Sequence, residues 1–247
     1  MVSLNLCTDQ LALLVARPGQ ILALSPLAAD PMVSLMAEQA RALPAHHGRA
    51  EEIYLLRPDL VLAGDYTNPE TLRMLRRLGL RVETLPTANT LAEVRGLVGR
   101  MGTLLDSPDR AAQVLAGFDA ALAALPGPGT GPVAVNYNPN GYTTGSLTFA
   151  GDVQRQAGLT LLTDRLGMDY GGNLPLEVLV MQQPALIIPG QRYATPSRSE
   201  EILTHPALRR LQADWHPVPD RDWICGLPQA ATLAAELAAE NRAGAVK

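Results

Sequence analysis

Two adjacent histidines, His46 and His47, are the side chains in this sequence that most directly suggest metal chemistry. An imidazole nitrogen can ligate iron, cobalt or zinc, so the pair could bind a metal ion or the metal of a bound chelate. A solvated histidine pair in the loop after Pro44 is the commoner arrangement. The other two histidines, His205 and His216, lie far along the chain, so the sequence indicates no zinc-type cluster.

The two cysteines, Cys7 and Cys225, stand at opposite ends of the chain. In an oxidising compartment such a pair can form a disulfide, and in a reducing one it stays as two thiols. Each lies near a predicted helix start, where thiolates are stabilised. Spacing alone chooses neither state, and a thiol enzyme that uses Cys7 with His46 or His47 is a rival hypothesis.

Motifs of the common catalytic folds are absent from the sequence. It contains no GxxxxGK[ST] phosphate loop, no GxSxG nucleophile elbow and no HExxH zinc motif. The glycines of residues 127–131 are interrupted by prolines and follow a predicted helix, which does not suit a dinucleotide loop. The sequence therefore favours a binding protein over an enzyme.

The elements that would position these side chains follow from an alternation of short apolar runs and amphipathic stretches. Strands are predicted at 2–6, 21–24, 60–63, 82–85, 133–137, 185–188 and 216–218. Helices are predicted at 8–16, 31–39, 50–56, 69–78, 91–105, 109–125, 148–157, 176–182, 199–203, 205–211 and 229–241. Such alternation is typical of parallel sheets covered by helices.

One long helix is predicted to separate two α/β units. The Ala/Leu-rich segment 109–125 carries apolar residues at helical spacing, and the Pro/Gly segment 126–132 interrupts the chain before a new strand. The sequence predicts an α/β fold of two Rossmann-like lobes. The N-terminal lobe would span 1–106, the linking backbone helix 107–126 and the C-terminal lobe 127–247.

Composition excludes several classes of protein. Hydrophobic residues make up 47% of the chain and charged residues 18%, which is enough apolar material for a buried core. The net charge of −4 and the lack of a basic block argue against a nucleic-acid partner. No run reaches the ~18 apolar residues of a membrane span. No signal peptide precedes the first predicted strand, so either the protein is cytosolic or the chain begins near a mature N-terminus.

The sequence also contains an internal similarity, since residues 51–64 have a counterpart at 177–190. In both segments an acidic residue, Glu51 or Glu177, lies seven positions before a proline, and an apolar strand follows. Any short helix followed by a strand can look like this. The alternative is two related lobes, each of which presents a short helix that starts with glutamate.

The chain resembles the iron-siderophore and vitamin B12 class of periplasmic binding proteins, which are the ligand-capturing subunits of ABC importers. The resemblance covers nearly the whole chain and depends on the order and spacing of several segments. These are 51–64 (EEIYLLRPDLVLAG), 75–85 (LRRLGLRVETL), 141–145 (GYTTG) with 157–158, 174–190, and 223–226 (WICG). The resemblance implies two lobes, a rigid helix between them and a ligand cleft between the lobes.

The resemblance implies that the ligand is a metal chelate, either a ferric siderophore or a corrinoid, with haem as the alternative, and that the protein has no cofactor of its own. It places these residues at the ligand: Cys7, His46, His47, Tyr66, Tyr137, Tyr142, Arg192, Tyr193, Trp223 and Cys225. Aromatic faces suit a macrocycle or a catecholate, although a tyrosine at a sheet end is also often packing. The guanidinium of Arg192 could pair with anionic oxygens.

Two features depart from the family. Relatives that carry haem usually have a tyrosine as axial ligand in the loop of His46 and His47, and this sequence has none there. The cysteine pair is not general in the family either. Free thiols at Cys7 and Cys225 could touch the ligand, whereas a disulfide between the lobes would fix the cleft width.

Glu51 and Glu177 match by spacing the surface carboxylates with which the family docks on permease arginines, and Glu52 is an alternate for Glu51. The simpler explanation is that both are acidic residues in the first turn of a helix, where the helix dipole favours a negative charge. The resemblance implies a monomeric periplasmic protein that partners an ABC permease and its ATPase. A sensor or a chelate chaperone on the same fold is a further rival.

Overall fold

The computed structural model describes residues 1–129, 131–192, 195 and 197–244, without the side chains of 242–244. Contacts within the chain divide it into two compact units. Unit 1 comprises Met1–Ala88, Ala92–Asp119 and Ile224–Pro228. Unit 2 comprises Asn89–Leu91, Ala120–Trp223 and the chain from Gln229 onward. The chain thus returns to unit 1 for a few residues after most of unit 2 has been formed.

Unit 1 is built on a parallel sheet with the strand order β1-β2-β3. The strands are β1 (Val2–Ser3), β2 (Val61–Gly64) and β3 (Val82–Leu85). Parallel bridges from Val2 to Ala23 and from Leu24 to Ala45 continue the order beyond β1. Every residue of β2 is buried, as expected for the middle strand of a sheet covered on both faces.

The helices in the first half of the chain include two that begin at a capping asparagine. They are α1 (Leu6–Val15), α2 (Ala37–Arg41), α3 (Ala50–Leu55), α4 (Pro69–Arg77), α5 (Leu91–Leu104) and α6 (Pro108–Ala123), with a 3₁₀ turn at Pro26–Ala29. The side chain of Asn5 caps α1 by accepting from the Cys7 N–H at 2.9 Å. Asn68 caps α4 in the same way, with Pro69 at the first helical position.

Unit 2 contains a second parallel sheet, with the strand order β6-β4-β8-β9. Its strands are β4 (Val133–Tyr137), β6 (Thr160–Leu161), β8 (Leu186–Pro189) and β9 (Asp214–Trp215). A separate antiparallel pair is formed by β5 (Tyr142–Thr143) and β7 (Gly172–Asn173). Val135, Leu179 and Ile187 lie in the core of this unit.

The helices of unit 2 cover this sheet. They are α7 (Phe149–Gln156), α8 (Leu162–Arg165), α9 (Leu176–Gln182), α10 (Pro206–Arg209) and α11 (Ala230–Gly244), with 3₁₀ turns at Pro139–Gly141, Arg198–Thr204 and Asp220–Asp222. Thr148 caps α7 by accepting from the Gly151 N–H at 3.2 Å. Within the described part of the chain, no helix has the length and apolarity needed to cross a bilayer.

The helix α6 carries the chain from one unit into the other. It is continuous over Pro108–Ala123, and the boundary between the units falls within it, after Asp119. The predicted fold class is confirmed, since both units are α/β with parallel sheets and helices. The predicted lobe boundaries, at residues 106 and 127, do not include the return of residues 224–228 to unit 1.

Several predicted elements differ from the observed ones. The strand predicted at 216–218 is wrong, because the strand is Asp214–Trp215 and Pro217 has no N–H with which to extend it. Of the strand predicted at 21–24, only Ala23 and Leu24 make bridges. The helix predicted at 31–39 begins later, at Ala37, because the preceding residues form turns on the Asp30 carbonyl.

Candidate functional site

The carboxyl ends of the unit 1 strands surround a buried polar network. The Ser3 and Thr8 hydroxyls lie 2.8 Å apart, and the Thr8 hydroxyl also donates to the Asn5 carbonyl at 2.9 Å. Asp9, one residue further along α1, is completely buried and accepts from both the N–H and the hydroxyl of Ser25. Thr8 and Ser25, two positions that the sequence places after strands, are therefore committed to interior hydrogen bonds.

Asp9 is an ionisable group whose pKa is strongly shifted by its surroundings. Burial raises the pKa of its carboxyl to about 7, and the hydrogen bonds from Ser25 and Ser3 lower it only in part. Its Oδ1 atom has no hydrogen-bond partner among the described residues. The unit 1 network therefore contains a carboxyl group that exchanges its proton near neutral pH.

The two neighbouring histidines have different environments. His46 is buried, its Nδ1 accepts from the Gly48 N–H at 3.0 Å, and its Nε2 lies 2.7 Å from the Ser3 carbonyl. Because the carbonyl can only accept, Nε2 carries the proton and His46 is the neutral tautomer with neither nitrogen free. His47 is exposed and contacts Glu52, and its N–H is the main reason that the pKa of Glu52 is lowered.

Metal ligation by His46 and His47 finds little support in this arrangement. The described residues contain no group of three or more His, Cys, Asp or Glu side chains that could hold a metal ion. His46 would have to give up a buried hydrogen bond before it could ligate. His47 keeps an exposed ring beside a carboxylate.

Cys7 and Cys225 form a disulfide, with their Cα atoms 5.2 Å apart. Both cysteines belong to unit 1, so the bond joins the start of α1 to the returning segment Ile224–Pro228. Of the two states that the sequence left open, the structure has the disulfide, and it lies within one unit. Beside it, Cys7 and Gly226 line a cavity of about 30 Å³, which is the volume of one water molecule.

Unit 2 has a larger pocket, of about 510 Å³, at the carboxyl ends of β8 and β9. Its volume is that of a small-molecule site. Its lining is apolar apart from two side chains that follow β8, and it consists of Pro189, Gly190, Gln191, Arg192, Leu203, Trp215, Pro217, Val218 and Pro219. The crevice at the carboxyl edge is where open α/β sheets bind ligands.

The two polar side chains of this pocket differ in their exposure, since the Gln191 Nε2 atom is buried and the Arg192 side chain is exposed. The Gln191 carbonyl oxygen accepts from the Asp220 N–H at 3.0 Å, which fixes the amide, and the Gln191 Nε2 has no partner among the described residues. The Arg192 guanidinium lies 3.8 Å from the buried carboxylate of Glu200 while more than half of its side chain remains exposed. The pocket can thus offer the exposed guanidinium of Arg192 to an acidic group on a ligand.

Trp215 supplies the aromatic wall of the pocket, with 40% of its surface exposed. Trp215 is not among the predicted ligand residues, because the predicted strand begins at His216, two residues after the observed start at Asp214. Since Trp215 pairs with Ile187 across β8 and β9, its position could be found only from that pairing. The signal available in the sequence was a tryptophan in a chain with only 4% aromatic residues.

The other aromatic residues predicted at the ligand are distributed differently. Tyr137 is fully buried in the unit 2 core, where its hydroxyl donates to the Leu174 carbonyl at 3.2 Å, and burial raises its pKa to about 12. Trp223 is also buried, whereas Tyr66 and Tyr142 are exposed. Tyr193 lies outside the described residues.

Of the predicted ligand set, Arg192 alone among the described residues lines the unit 2 pocket, and Cys7 lines the small unit 1 cavity. The predicted docking carboxylates, Glu51 on α3 and Glu177 on α9, are both exposed. The carboxylate of Glu52, the alternate for Glu51, accepts from the His47 N–H and also contacts the His47 ring.

Comparison with known proteins identifies both a family and a fold. A family model described as "Periplasmic binding protein" matches residues 1–213. A search of curated protein sequences finds no significant match.

Solved structures similar to this one cover almost all of the chain. The haem-binding protein RhuT from Roseiflexus sp. RS-1 has a TM-score of 0.77 at 19% identity, with 97% of this chain and 96% of that chain covered. The haem-binding protein HutB of Vibrio cholerae has a TM-score of 0.79 at 16% identity, with 97% of each chain covered. The vitamin B12 binding protein BtuF of Vibrio cholerae has a TM-score of 0.66 at 18% identity, with 98% and 96% covered. At these identities the likeness shows the fold.

Proposed function

Because the chain belongs to the periplasmic binding protein family, we propose that it captures an acidic metal chelate and delivers it to the permease and ATPase of an ABC importer. Family membership also confirms the prediction of a binding protein rather than an enzyme. The chelate is cargo and not a cofactor. The proposed location is the periplasm, and the proposed state is a monomer.

The unit 2 pocket is the observation that carries the choice of ligand. It combines an exposed indole, apolar proline and valine walls, and the exposed guanidinium of Arg192 at one edge. A flat ring system with a carboxylate at its rim fits this combination, because the ring can stack on Trp215 while the carboxylate pairs with Arg192. Haem has that chemistry, and two of the similar structures are haem-binding proteins. Ferric siderophores and corrinoids are the alternatives.

The choice of haem does not depend on the histidine pair. His46 uses both ring nitrogens inside unit 1, so it is not proposed as an axial ligand. Pairing of Arg192 with an acidic group depends on charge and not on the metal. A chelate that carries acidic groups should therefore bind more tightly than its neutral ester.

Tryptophan fluorescence tests the proposal, because the chain has only two tryptophans. Haem, haem dimethyl ester, cyanocobalamin and a ferric catecholate siderophore are titrated into the wild type, Trp215→Phe and Trp223→Phe. We expect haem to quench the wild type, and we expect Trp215→Phe to bind haem more weakly than Trp223→Phe does, because Trp215 lines the pocket. Dissociation constants of about 1 μM or tighter are expected.

Arg192→Gln should weaken haem binding about tenfold and affect the ester far less, since the ester has no acidic group to pair with the guanidinium. The matched control is Arg209→Gln, which removes an exposed arginine on α10. If none of the four chelates binds at up to about 100 μM, the proposed ligand class is wrong. Tight binding of cyanocobalamin or the siderophore alone would replace haem by that chelate.

Docking on the permease is proposed through Glu51 and Glu177. The described residues form no ion pair with either carboxylate, so both are available to cations of a partner. Exposed charges of this kind set orientation and encounter rate more than affinity. Glu51→Gln with Glu177→Gln should slow association with the permease–ATPase complex, and the effect should shrink at high salt.

A further inference from the structure

The segments around Glu51 and Glu177 share a backbone feature that the sequence does not display. Each glutamate lies in the first turn of its helix, α3 or α9. Six positions later, directly before the proline of each segment, Arg57 and Gln183 have positive φ values of 47° and 45°. Non-glycine residues seldom adopt this left-handed conformation. The two units therefore contain the same helix–turn–strand segment.

The two helices also bury and expose equivalent positions. Two residues after the glutamate, Ile53 and Leu179 are fully buried in the cores of their units. Four residues after the glutamate, Leu55 is 78% exposed and Met181 is 75% exposed. Because positions four apart share a helix face, each unit presents a carboxylate with a large apolar side chain one turn further on.

This pairing differs from ordinary surface apolarity. Single exposed apolar residues are common and need no explanation. Here, however, the equivalent position is exposed in both units, and Glu51 and Glu177 form no ion pair with the described residues. Leucine and methionine are both flexible, unbranched at Cβ and suited to filling a shallow recess.

We propose that Leu55 and Met181 are apolar anchors that bind the same partner as Glu51 and Glu177. The occupant is the permease, and the inference rests on the proposed importer function. On each half of its receiving surface, the permease would present an arginine or lysine with an apolar recess about 6 Å away, which is the spacing of positions four apart on a helix. The carboxylates then govern how fast the complex forms, and the anchors govern how long it lasts.

The experiment measures association and dissociation rates for the full chain on its permease–ATPase complex in lipid nanodiscs. The variants are Leu55→Ser, Met181→Ser, the pair of these, and Glu51→Gln with Glu177→Gln. Each anchor substitution should raise the dissociation rate about tenfold and leave the association rate within about twofold. The glutamate pair should lower the association rate and its salt dependence instead.

Tyr170→Ser is the matched control, because Tyr170 is 73% exposed in unit 2 and lies outside α9. It should leave both rates unchanged, and thermal melting should show that all variants fold. Anchor variants with the wild-type dissociation rate would overturn this inference and leave the importer function standing. A wild type that binds the chelate but not the complex would overturn the importer function itself, and the anchors with it.

Discussion

Asp9 accepts two hydrogen bonds from Ser25, one from the N–H at 3.2 Å and one from the hydroxyl, although solvent does not reach its side chain. Two opposing effects therefore act on the protonation state of this carboxyl group. Burial favours the protonated form, and the Ser25 donors favour the carboxylate. Burial is the larger effect, and the pKa of Asp9 rises from 3.8 to about 7.

Asp9→Asn should remove a pH dependence of stability. The folded chain keeps a proton that the unfolded chain loses above pH 3.8, so the stability from this group is complete below about pH 4 and is lost as the pH rises through 7. The loss is on the order of 4 kcal/mol. Chemical denaturation at steps between pH 4 and pH 8 measures it. The free energy of unfolding of the wild type should fall relative to the variant over that range.

The matched control for Asp9→Asn is Asp164→Asn, which neutralises an exposed aspartate in α8. The free energy of unfolding of Asp164→Asn should change with pH in the same way as that of the wild type. Parallel curves for wild type and Asp9→Asn would show that Asp9 is ionised throughout, and the assignment of a proton near neutral pH would be wrong.

Removal of the disulfide by Cys7→Ser with Cys225→Ser should lower stability. The bond closes a separation of 218 residues, and the loss of that closure is worth about 2–5 kcal/mol. Hydrogen exchange should rise most at residues 224–228, because the bond ties this segment to α1. Differential scanning calorimetry and exchange mass spectrometry measure both effects. Wild type under reductant should match the double variant; equal melting with and without reductant would argue against the bond.

Gly190→Ala should destabilise unit 2 and distort its pocket. A Cβ at this position would lie 2.6 Å from the Asn138 Oδ1 and 2.9 Å from the Asn138 Cα, so the backbone after β8 must move. The expected cost is about 1–3 kcal/mol, with weaker chelate binding. Gly96→Ala in α5 is the control, because nothing lies within 4 Å of a Cβ there, and it should be neutral or stabilising by up to about 1 kcal/mol. Similar melting temperatures for the two variants would contradict the close approach.

The elements that the sequence predicts best are those with a local cause. The strands β3 and β4 and the helix α9 have the predicted bounds, because each lies between turn signals, and β4 and α9 are also apolar. The two-residue strands β5, β6 and β7 were not predicted. Such strands are set by their partners, as Tyr142 is by Asn173, and a single sequence does not display pairing between distant residues.

The site was less predictable than the fold, for a related reason. Strand ends could be located, and Arg192 does follow β8 into a pocket. Which way a side chain points at such an end depends on the strand register, so Tyr137 is buried in the core although it ends β4. Asp9 was missed because an aspartate near a helix start is ordinarily a solvated dipole partner.

The return of residues Ile224–Pro228 to unit 1 sets an order of events during biosynthesis. This segment fits closely, since a Cβ on Gly226 would meet that of Ala88 at 2.5 Å. The ribosome must synthesise residues 120–223, which belong to unit 2, before it reaches residues 224–228, which complete unit 1. A chain that is cut short within unit 2 therefore lacks the last piece of unit 1, and its Cys7 has no disulfide partner.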